Sequence, residues 1–367
     1  MSDPALRPSG PFRYGDRVQL TGPKGRLSTV TLAEGGELHT HHGVLRHDIL
    51  VGLPDGSVVA NSGGSEYLAL RPLLRDFVLS MPRGAAIVYP KDAAQIVAQA
   101  DIFPGAVVVE AGVGSGALSL SLLRAVGGEG RLLSFERRDE FADVARANVT
   151  TFLGATPPNW SITLGDLAEA LPQTVEPGSV DRVVLDMLAP WECIDAVADA
   201  LTPGGVVTCY VATATQLSRV AEYLRGTGLF TEPEANETMV RGWHVEGLAV
   251  RPDHRMVAHT GFLISARRLA PGAVPPDVRK RAVRKTAYGD EDVELWTPGA
   301  VGDRQITDKN LRKRLRDAER AAAGVRRATD ADATAADAAL ADAPDPDSAP
   351  GEIPDAAAAD AAPGDED

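Results

Sequence analysis

The spacing of apolar residues changes within the stretch VVVEAGVGSGALSLSLL (107–123), and this change predicts where a strand gives way to a helix. An apolar run ends at Glu110, glycines follow at positions 112, 114 and 116, and leucines spaced for one helix face come next. Short apolar runs are typical of buried strands, and leucines three or four residues apart are typical of a packed helix. The stretch therefore predicts the strand, tight turn and helix start of a nucleotide-binding α/β unit.

The same alternation continues to residue 269 and predicts the rest of a sheet. Four further strands are expected to end at or near Glu136, Asp166, Asp186 and Tyr210. Two later apolar runs, 239–250 and 261–269, predict a closing pair of strands with one antiparallel edge. We expect an α/β fold with a Rossmann-like sheet of about seven strands, which binds its ligand at the carboxyl ends of the parallel strands.

The glycine turn distinguishes two classes of cofactor. Dinucleotide enzymes carry G-x-G-x-x-G, whereas this turn has G-x-G-x-G with Glu110 two residues upstream. A carboxylate at Glu110 would repel a pyrophosphate, yet it could hold, directly or through water, the ammonium of an amino-acid tail such as that of S-adenosylmethionine. Glu136 is placed for a ribose diol, Asp166 for an adenine amine and Phe141 for the face of that ring. The expected cofactor contacts are Glu110, Gly112, Gly114, Ser115, Gly116, Ala117, Leu118, Glu136, Phe141, Asp166 and Asp186. The alternative is an α/β protein whose glycine turn binds a different ligand.

Asp186 is the candidate catalytic residue. Enzymes that methylate exocyclic adenine or cytosine amines have Asn or Asp at this place, followed at once by two prolines and an aromatic residue, whereas this chain has DMLAPW (186–191). Because this chain keeps the acid but lacks the proline pair, the motif indicates a site of different geometry or a different target atom. An acid that only caps a loop or helix is the alternative.

Residues 12–70 contain short predicted strands at 16–20, 28–32, 48–53 and 57–60, separated by glycine and proline turns. They predict a small β-barrel or sandwich. Four histidines lie close together here: His39, His41, His42 and His47. No cysteine or acid triad accompanies them, so we expect no metal site and favour a barrel loop or a surface that faces nucleic acid.

The segment AAIVYPKDAAQIV (85–97) predicts a helix that packs beside the glycine strand. Pro90 suits a sharp helix entry and Asp92 suits the N-cap. Tyr89, just before the helix, could stack on a base or fill the core, and the sequence alone favours neither.

The acidic balance of the chain comes mainly from one end. The formal net charge is −14, but residues 328–367 hold 12 of the 51 acidic residues and no lysine or arginine. This Ala, Asp and Pro tail is expected to be disordered, because it has too few large apolar residues to form a core. Residues 267–327 hold 16 basic and 9 acidic residues, which suits either phosphate contacts or a solvated helix. An acidic pI therefore does not exclude a nucleic-acid substrate.

Neither a membrane span nor a signal peptide is predicted, since no apolar run is long enough for the first and the start of the chain lacks an apolar core for the second. The only cysteines, Cys193 and Cys209, fall in a predicted helix and a predicted strand. They indicate no disulfide framework, and the expected compartment is the reducing cytoplasm.

Four segments in order resemble the tRNA (adenine-58-N1)-methyltransferases of bacteria and archaea. They are IVYPKDAAQIV (87–97), EAGVGSGALSLSL (110–122), LDMLAPW (185–191) and HTGFLISARR (259–268). In addition, HHGVLRHDILVG (41–52) is similar to the N-terminal barrel signature of that family. The departures are modest: Ala117 stands where many members have glycine, and Ala189 where many have an acid. The resemblance implies a class I methyltransferase sheet, a small N-terminal β domain and a homotetramer.

The resemblance also implies methyl transfer from S-adenosylmethionine to N1 of an adenine in the T-loop of tRNA. Asp186 would accept a hydrogen bond from the adenine N6 amine, orient N1 and stabilise the cationic product, with Tyr89 and Tyr210 as walls of the base pocket. The expected division is a β domain at 1–75, a methyltransferase domain at 76–270, a basic extension at 271–327 and the tail at 328–367. A different methyl acceptor and a non-catalytic tRNA-binding subunit are the alternatives, although the latter would be expected to lose the glycine turn or the strand-end acids.

Overall fold

The computed structural model describes residues 10–83 and 86–276. Most of the basic extension predicted at 271–327, and the whole of the tail predicted at 328–367, lie outside the described residues. None of the helices in the described part combines the length and apolar character that crossing a membrane requires. Both cysteines, Cys193 and Cys209, are buried free thiols.

The first six strands form a small β domain with a core of its own. They are β1 (Arg17–Thr21), β2 (Leu27–Thr31), β3 (Glu37–Thr40), β4 (Gly43–Arg46), β5 (Ser57–Ala60) and β6 (Glu66–Leu70). Four of them pair antiparallel in the order β2, β1, β6, β5, and β3 pairs with β4 as a separate hairpin. Alternate residues of β1, Val18 and Leu20, point inward and are fully buried against Phe12, Leu45 and Leu50.

The strand predicted at 48–53 is wrong. His47–Ile49 form a short 3₁₀ helix, and the chain turns again at Gly52, whose φ is +87°. The carboxylate of Asp48 accepts hydrogen bonds from the Gly35 backbone and the Arg46 guanidinium, which hold the turn. The apolar residues of this run therefore anchor a turn to the core. Strands β3 and β4 are absent from the prediction because each has only four residues, which leaves little periodicity to detect.

Two helices lead into a larger α/β unit in which strands and helices alternate. The elements are α1 (Leu74–Ser80), α2 (Pro90–Gln99), β7 (Val107–Ala111), α3 (Ala117–Val126), β8 (Arg131–Glu136), α4 (Asp139–Leu153), β9 (Trp160–Leu164), α5 (Leu167–Thr174), β10 (Val180–Asp186), α6 (Ile194–Ala200), β11 (Leu201–Val211), α7 (Ala214–Thr227), β12 (Glu234–Asn236), β13 (Val240–Glu246), β14 (Ala249–Val257) and β15 (Phe262–Arg267). Seven strands form one sheet in the order β12, β15, β11, β10, β7, β8, β9. Only β15 runs antiparallel to its neighbours in this sheet, β11 and β12.

Each face of this sheet is covered by its own hydrophobic cluster. Val108 and Val184 face the side covered by α1 to α4, while their neighbours Val109 and Val183 face the side covered by α5 to α7. A strand buried on both faces needs a nearly continuous apolar sequence, which is why the central strands β7 and β10 contain the apolar runs 107–109 and 183–185.

The strand order reverses between β7 and β10. The chain passes from β7 outward to β8 and β9, and then returns to place β10 on the other side of β7. The carboxyl ends of the strands beside such a switch point form the crevice in which open α/β sheets bind ligands. The register, with Leu185 opposite Ala111, brings Gly112 next to Asp186.

The predicted number of strands is confirmed, but one of the predicted members is wrong. Residues 239–250 do not join the main sheet, whose outer strand is β12. Instead β13 pairs with β14 as a separate two-stranded ribbon. The apolar residues that suggested a buried strand are exposed: the accessible fraction is 61% for Trp243 and 70% for Val245.

Candidate functional site

A cavity of about 570 Å³ opens at the carboxyl ends of β7, β8, β10 and β11. This volume suits a nucleoside-sized ligand. Six of the residues that the sequence singles out line the cavity: Tyr89, Gly112, Gly114, Glu136, Asp186 and Tyr210. The switch point of the sheet thus brings together residues from five separate stretches of the chain.

The turn after β7 requires glycine for two different reasons. The φ of Gly112 is +86°, which side chains rarely adopt, and a Cβ there would lie 1.8 Å from the carbonyl oxygen of Asp186. Gly116, with φ +80°, packs so closely on α4 that a Cβ would come within 3.2 Å of the Ala145 backbone. At Gly114 the same construction meets open space. The turn is therefore packed on two sides and open on the side from which a ligand can approach its backbone.

The helix after the turn begins without a side-chain cap. Gly116 stands at the N-cap of α3, and no side chain among the described residues caps it, so the first backbone N–H groups are available to a ligand. Ser115, Ala117 and Leu118 are buried there, so any contact they make with a ligand is close to the backbone. The Ser115 hydroxyl is buried and has no hydrogen-bond partner in the part of the chain that the structure describes. These donors fit the polar tail of a ligand.

Glu136, the last residue of β8, is held in place by backbone hydrogen bonds. One carboxylate oxygen accepts from the N–H of Gly114 at 3.1 Å, and the other accepts from Arg137 at 3.0 Å and Arg138 at 3.2 Å. Each carboxylate oxygen has two lone pairs, so the group can still accept hydrogen bonds from a ligand. A fixed acceptor in the cavity wall fits the ribose diol expected there.

Glu110 is fully buried. Its carboxylate accepts hydrogen bonds from the hydroxyls of Ser119, at 2.8 and 3.0 Å, and Ser134, at 2.7 Å. Burial raises the pKa of Glu110 to about 7 against the opposing effect of these hydroxyls, and the Asp186 and Glu136 carboxylates contribute to the rise. Its carboxylate is therefore engaged by protein hydroxyls, and contact with a cofactor ammonium, directly or through water, stays a prediction.

Asp186 and Tyr210 lie side by side at the carboxyl ends of neighbouring strands. Asp186 ends β10, and its register partner on the parallel strand β11 is Tyr210. Register partners on neighbouring parallel strands point to the same face of a sheet, so both side chains enter the cavity together. Burial raises the pKa of Asp186 to about 7, and the nearby Glu136 carboxylate adds to the rise. A cation bound in the cavity would lower this pKa again and favour the carboxylate.

Tyr89 precedes α2 and lines the cavity, but the predicted N-cap at Asp92 is wrong. Asp92 is the third residue of the helix and is buried. Its carboxylate pairs with the Lys91 ammonium at 2.7 Å and accepts a hydrogen bond from the Thr260 hydroxyl at 2.6 Å. Helix α2 begins with Pro90, which has no N–H to cap, and the contact with Thr260 holds the carboxylate against another part of the fold.

Asp166 and Phe141 make protein contacts of their own. Asp166 caps α5 by accepting from the Ala168 N–H at 2.9 Å, and it forms an ion pair with Arg137. Burial raises the pKa of Asp166, but the bonds from Arg137 and Ala168 outweigh burial and hold it below its ordinary value. The Phe141 ring lies under the Arg138 guanidinium, 3.7 Å from its centroid. Contact of either residue with a cofactor adenine stays a prediction.

Sequence reasoning missed several residues that line the cavity: Arg83, Arg138, Met187, Leu188, Gln216 and Thr260. A signal was present for Gln216, because Thr213 and Gln216 have the spacing of a capping box at the start of α7. The Gln216 side chain also donates to the Leu188 carbonyl at 2.9 Å, which holds the loop after Asp186. Thr260 offers no such local signal, since its partners are 168 and 169 positions away.

The histidines of the β domain have separate partners. The Nδ1 atom of His47 accepts from the Ala33 N–H at 3.2 Å, and His39 lies 3.4 Å from the Glu37 carboxylate. Among the described residues, no group of three or more His, Cys, Asp or Glu side chains is arranged to hold a metal ion.

Comparison with known families decides the identity of the chain. Residues 10–59 match the family described as TrmI-like N-terminal, and residues 67–251, half of the chain, match the family described as tRNA methyltransferase complex GCD14 subunit. The chain belongs to this tRNA methyltransferase family. The first match covers β1 to β4 and most of β5. The second runs from β6 into β14 and includes the residues that line the cavity except Thr260.

Named relatives in the family are tRNA (adenine-N1)-methyltransferases. The tRNA (adenine(58)-N(1))-methyltransferase TrmI of Thermus thermophilus is 36% identical over 261 residues, which are 71% of this chain and 97% of that protein. The tRNA (adenine(57)-N(1)/adenine(58)-N(1))-methyltransferase TrmI of Methanocaldococcus jannaschii is 30% identical over 259 residues, 64% of this chain and 87% of that protein. The resemblance found in the sequence motifs is thereby confirmed.

Solved structures of similar proteins confirm the class I methyltransferase fold. A SAM-dependent O-methyltransferase from Thermotoga maritima has a TM-score of 0.66 and 32% identity, covering 71% of this chain and 95% of its own. The tRNA (m1A58) methyltransferase TrmI from Aquifex aeolicus has a TM-score of 0.63 and 26% identity, covering 71% of this chain and 100% of its own.

Proposed function

We propose that this member of the family transfers a methyl group from S-adenosylmethionine to N1 of adenine 58 in the T-loop of tRNA. The proposal rests on one observation: four residues that the sequence singles out line the same cavity at the switch point of the sheet, namely Gly112, Glu136, Asp186 and Tyr210. The acceptor is inferred from the named functions of the relatives, which act on adenine N1 in tRNA.

The residues around the glycine turn fit S-adenosylmethionine. The open side of the turn and the uncapped start of α3 suit the amino-acid tail, Glu136 suits the ribose diol, and Asp166 with Phe141 suits the adenine. When bound, the cofactor supplies an electrophilic methyl group on a sulfonium sulfur. The carboxylates of Glu110, Glu136 and Asp186 make this end of the sheet favourable for its positive charge.

Asp186 is assigned three tasks on the acceptor base. Its carboxylate accepts a hydrogen bond from the adenine N6 amine, orients N1 toward the methyl group, and stabilises the positive charge that develops on the base. No general base is needed for the attack, because N1 has a free lone pair. Asp186 must be ionised for the last of these tasks.

The reaction also needs a place for the flipped base and the exclusion of water, which the two tyrosines and the cavity provide. N1 is concealed by pairing or stacking in folded tRNA, so the base must be turned out into the enzyme. Tyr89 and Tyr210 then provide walls that the flipped base can stack on or bond to. A cavity closed by the base excludes water from the methyl group.

The experiment that tests this proposal is transfer of labelled methyl from S-adenosylmethionine to unmodified tRNA transcripts, followed by nucleoside mapping. The expected product is 1-methyladenosine at position 58, and Asp186→Ala should lower the rate by about 10²-fold or more while cofactor still binds. Asp143→Ala is the matched control, because Asp143 is an exposed acid on α4 paired with Arg146. If the protein binds cofactor but methylates a different acceptor, as the O-methyltransferase name of one structural neighbour allows, the acceptor assignment fails.

We also propose that the protein is a homotetramer that acts on tRNA in the cytoplasm. The ribbon of β13 and β14 supports an assembly, because its apolar residues Trp243, Val245 and Leu248 are 61% or more exposed in the single chain. Exposed apolar surface of this kind marks sites of protein association. Light scattering should give four copies, and Trp243→Ser combined with Leu248→Ser should give smaller species. A monomeric wild-type protein would contradict the assembly.

A further inference from the structure

Leu188 lies at the mouth of the cavity, two residues after Asp186. Its side chain lines the cavity and is 66% exposed. In the described part of the chain, it is the one large apolar side chain of the cavity lining that is exposed, whereas Tyr210 is only 8% exposed. A single exposed leucine is ordinary on a protein surface, so its meaning depends on how the surrounding loop is held.

The side chains on both sides of Leu188 are packed into the protein. Met187 is half-buried against the hydrophobic cluster under α5 to α7, and its sulfur lies 4.0 Å from the sulfur of Cys193. Ala189 is buried, and the chain then enters a short 3₁₀ helix at Pro190–Cys193. The residues before and after Leu188 therefore turn inward, while Leu188 turns outward.

The backbone of this loop is also held at two points. The Gln216 side chain donates to the Leu188 carbonyl at 2.9 Å, and Gln216 also closes the capping box with Thr213 at the start of α7. The carbonyl oxygen of Asp186 lies against Gly112, where a Cβ would be 1.8 Å away. A side chain on a backbone fixed in this way loses little conformational entropy when a ligand packs on it.

The position of Leu188 matches a need of the proposed reaction. When a base is turned out of a folded nucleic acid, it loses the stacking contacts that it made with its neighbours. Apolar side chains, leucine among them, can enter between base steps and replace part of this contact. A side chain with this task has to project beside the pocket that receives the base, as Leu188 projects beside Asp186.

We propose that Leu188 enters the tRNA loop at the place that adenine 58 leaves, and so keeps this base turned out toward Asp186. Leu188 is a positioning residue, because it contacts the neighbouring bases and not the reacting atoms. The inference rests on the proposed function and names the residue that makes its substrate accessible. It differs from a role in the pocket wall, since a wall contacts the flipped base in every substrate.

The test compares two tRNA transcripts that differ in how firmly adenine 58 is held. One is the ordinary transcript, and in the other an abasic residue replaces the loop nucleotide that pairs with adenine 58. On the ordinary transcript Leu188→Ala should lower kcat/KM roughly 10-fold, as expected for truncating a leucine that becomes largely buried in the complex. On the abasic transcript the loss should be about 2-fold at most, because less contact has to be replaced when the base is already unpaired.

Three further variants separate this effect from other causes. Leu188→Met keeps an apolar side chain of similar size and should stay within about 2-fold of the wild type on both transcripts. Leu79→Ala is the matched control, because Leu79 is an exposed leucine of α1 outside the cavity lining, and it should change neither value. Gln216→Glu keeps the oxygen of the capping box but cannot donate to the Leu188 carbonyl, so it should show the same difference between transcripts in weaker form.

A second measurement follows the base directly. 2-Aminopurine at position 58 fluoresces more strongly when it leaves the stack, and S-adenosylhomocysteine, which has no methyl group to transfer, allows the complex to be measured at equilibrium. Saturating wild-type protein should raise the fluorescence. Leu188→Ala should give less than half of this rise at saturation, whereas Leu79→Ala should give all of it.

Each outcome decides a separate point. If Leu188→Ala slows both transcripts by the same factor, Leu188 acts on the flipped base itself, and the inference is wrong. A full fluorescence rise with Leu188→Ala would overturn it as well. If Leu188→Ala distinguishes the transcripts but Gln216→Glu does not, the hold on the loop by Gln216 is overturned. If the wild type methylates neither transcript, the proposed function fails and the inference fails with it.

Discussion

Replacing Asp186 by asparagine should stabilise the protein without cofactor while it removes activity. Burial, with help from Glu136, raises the pKa of Asp186 from its ordinary 3.8 to about 7. The folded state therefore binds the Asp186 proton more tightly than the unfolded state does, and the free energy of unfolding falls as the pH rises from about 4 to about 7. Above pH 7 the full cost of the buried charge is present, and Asp186→Asn removes this cost.

The size of the effect follows from the pKa. A rise from 3.8 to about 7 corresponds to at most about 4 kcal/mol, at about 1.4 kcal/mol for each tenfold change in proton affinity. Asp186 retains contact with water in the open cavity, which reduces this to about 1–3 kcal/mol. At pH 4 the difference between wild type and Asp186→Asn should be close to zero, because Asp186 is protonated in the folded state and half protonated in the unfolded state.

Urea denaturation at pH 5 and pH 8 measures this difference, since urea is uncharged and leaves the carboxylates unscreened. Protein concentration must be equal in all samples, because an oligomer gains stability with concentration. Asp143→Asn, an exposed acid, should be neutral at both values. Saturating S-adenosylmethionine should shrink the advantage of Asp186→Asn, because a bound cation stabilises the carboxylate. An Asp186→Asn variant that is no more stable than wild type at pH 8 would refute the reasoning.

Three other predictions concern the cofactor site. Gly112→Ala should weaken S-adenosylmethionine binding at least tenfold in calorimetry, because its Cβ would lie 1.8 Å from the Asp186 carbonyl oxygen. Gly178→Ala is the control, since Gly178 also has a positive φ but faces open space, and this variant should bind the cofactor normally. Equal affinities of the two variants would contradict the account. The wild-type kcat/KM should fall as the pH drops below about 7, where Asp186 takes up a proton, and a flat profile between pH 6 and 8 would contradict this. Glu110→Gln should weaken binding of the cationic S-adenosylmethionine roughly 3- to 10-fold more than binding of uncharged-sulfur S-adenosylhomocysteine, and an equal loss for both would show that the Glu110 charge does not act on the sulfonium.

The parts of the site that follow from local sequence could be predicted. Glu136 and Asp186 each end a mostly apolar run, which is the pattern of a strand buried on both faces. Their place at the carboxyl edge of the sheet therefore follows from the chain itself. The glycine turn could be predicted equally well, because the positive φ at Gly112 is rarely adopted by other residue types. These local signals, with one family resemblance, were enough to assign the fold.

The parts that depend on distant contacts could not be predicted. Asp92 has the sequence context of an N-cap, yet its carboxylate accepts a hydrogen bond from Thr260, two residues before β15. The run at 239–250 has strand periodicity, but periodicity does not show whether a strand joins the main sheet or pairs apart with β14. The apolar pattern at 48–53 was ambiguous in the same way, because the 3₁₀ helix His47–Ile49 buries the following Leu50 as a strand would.

The claim that N1 of a tRNA adenine accepts the methyl group is tested most directly by two transcripts that differ at one atom. One carries adenosine at position 58, and the other carries 1-deazaadenosine, in which a C–H group replaces N1 while the N6 amine remains. The account predicts labelled methyl at position 58 of the first transcript and none in the second, although both bind. Equal methylation of the two transcripts would contradict it.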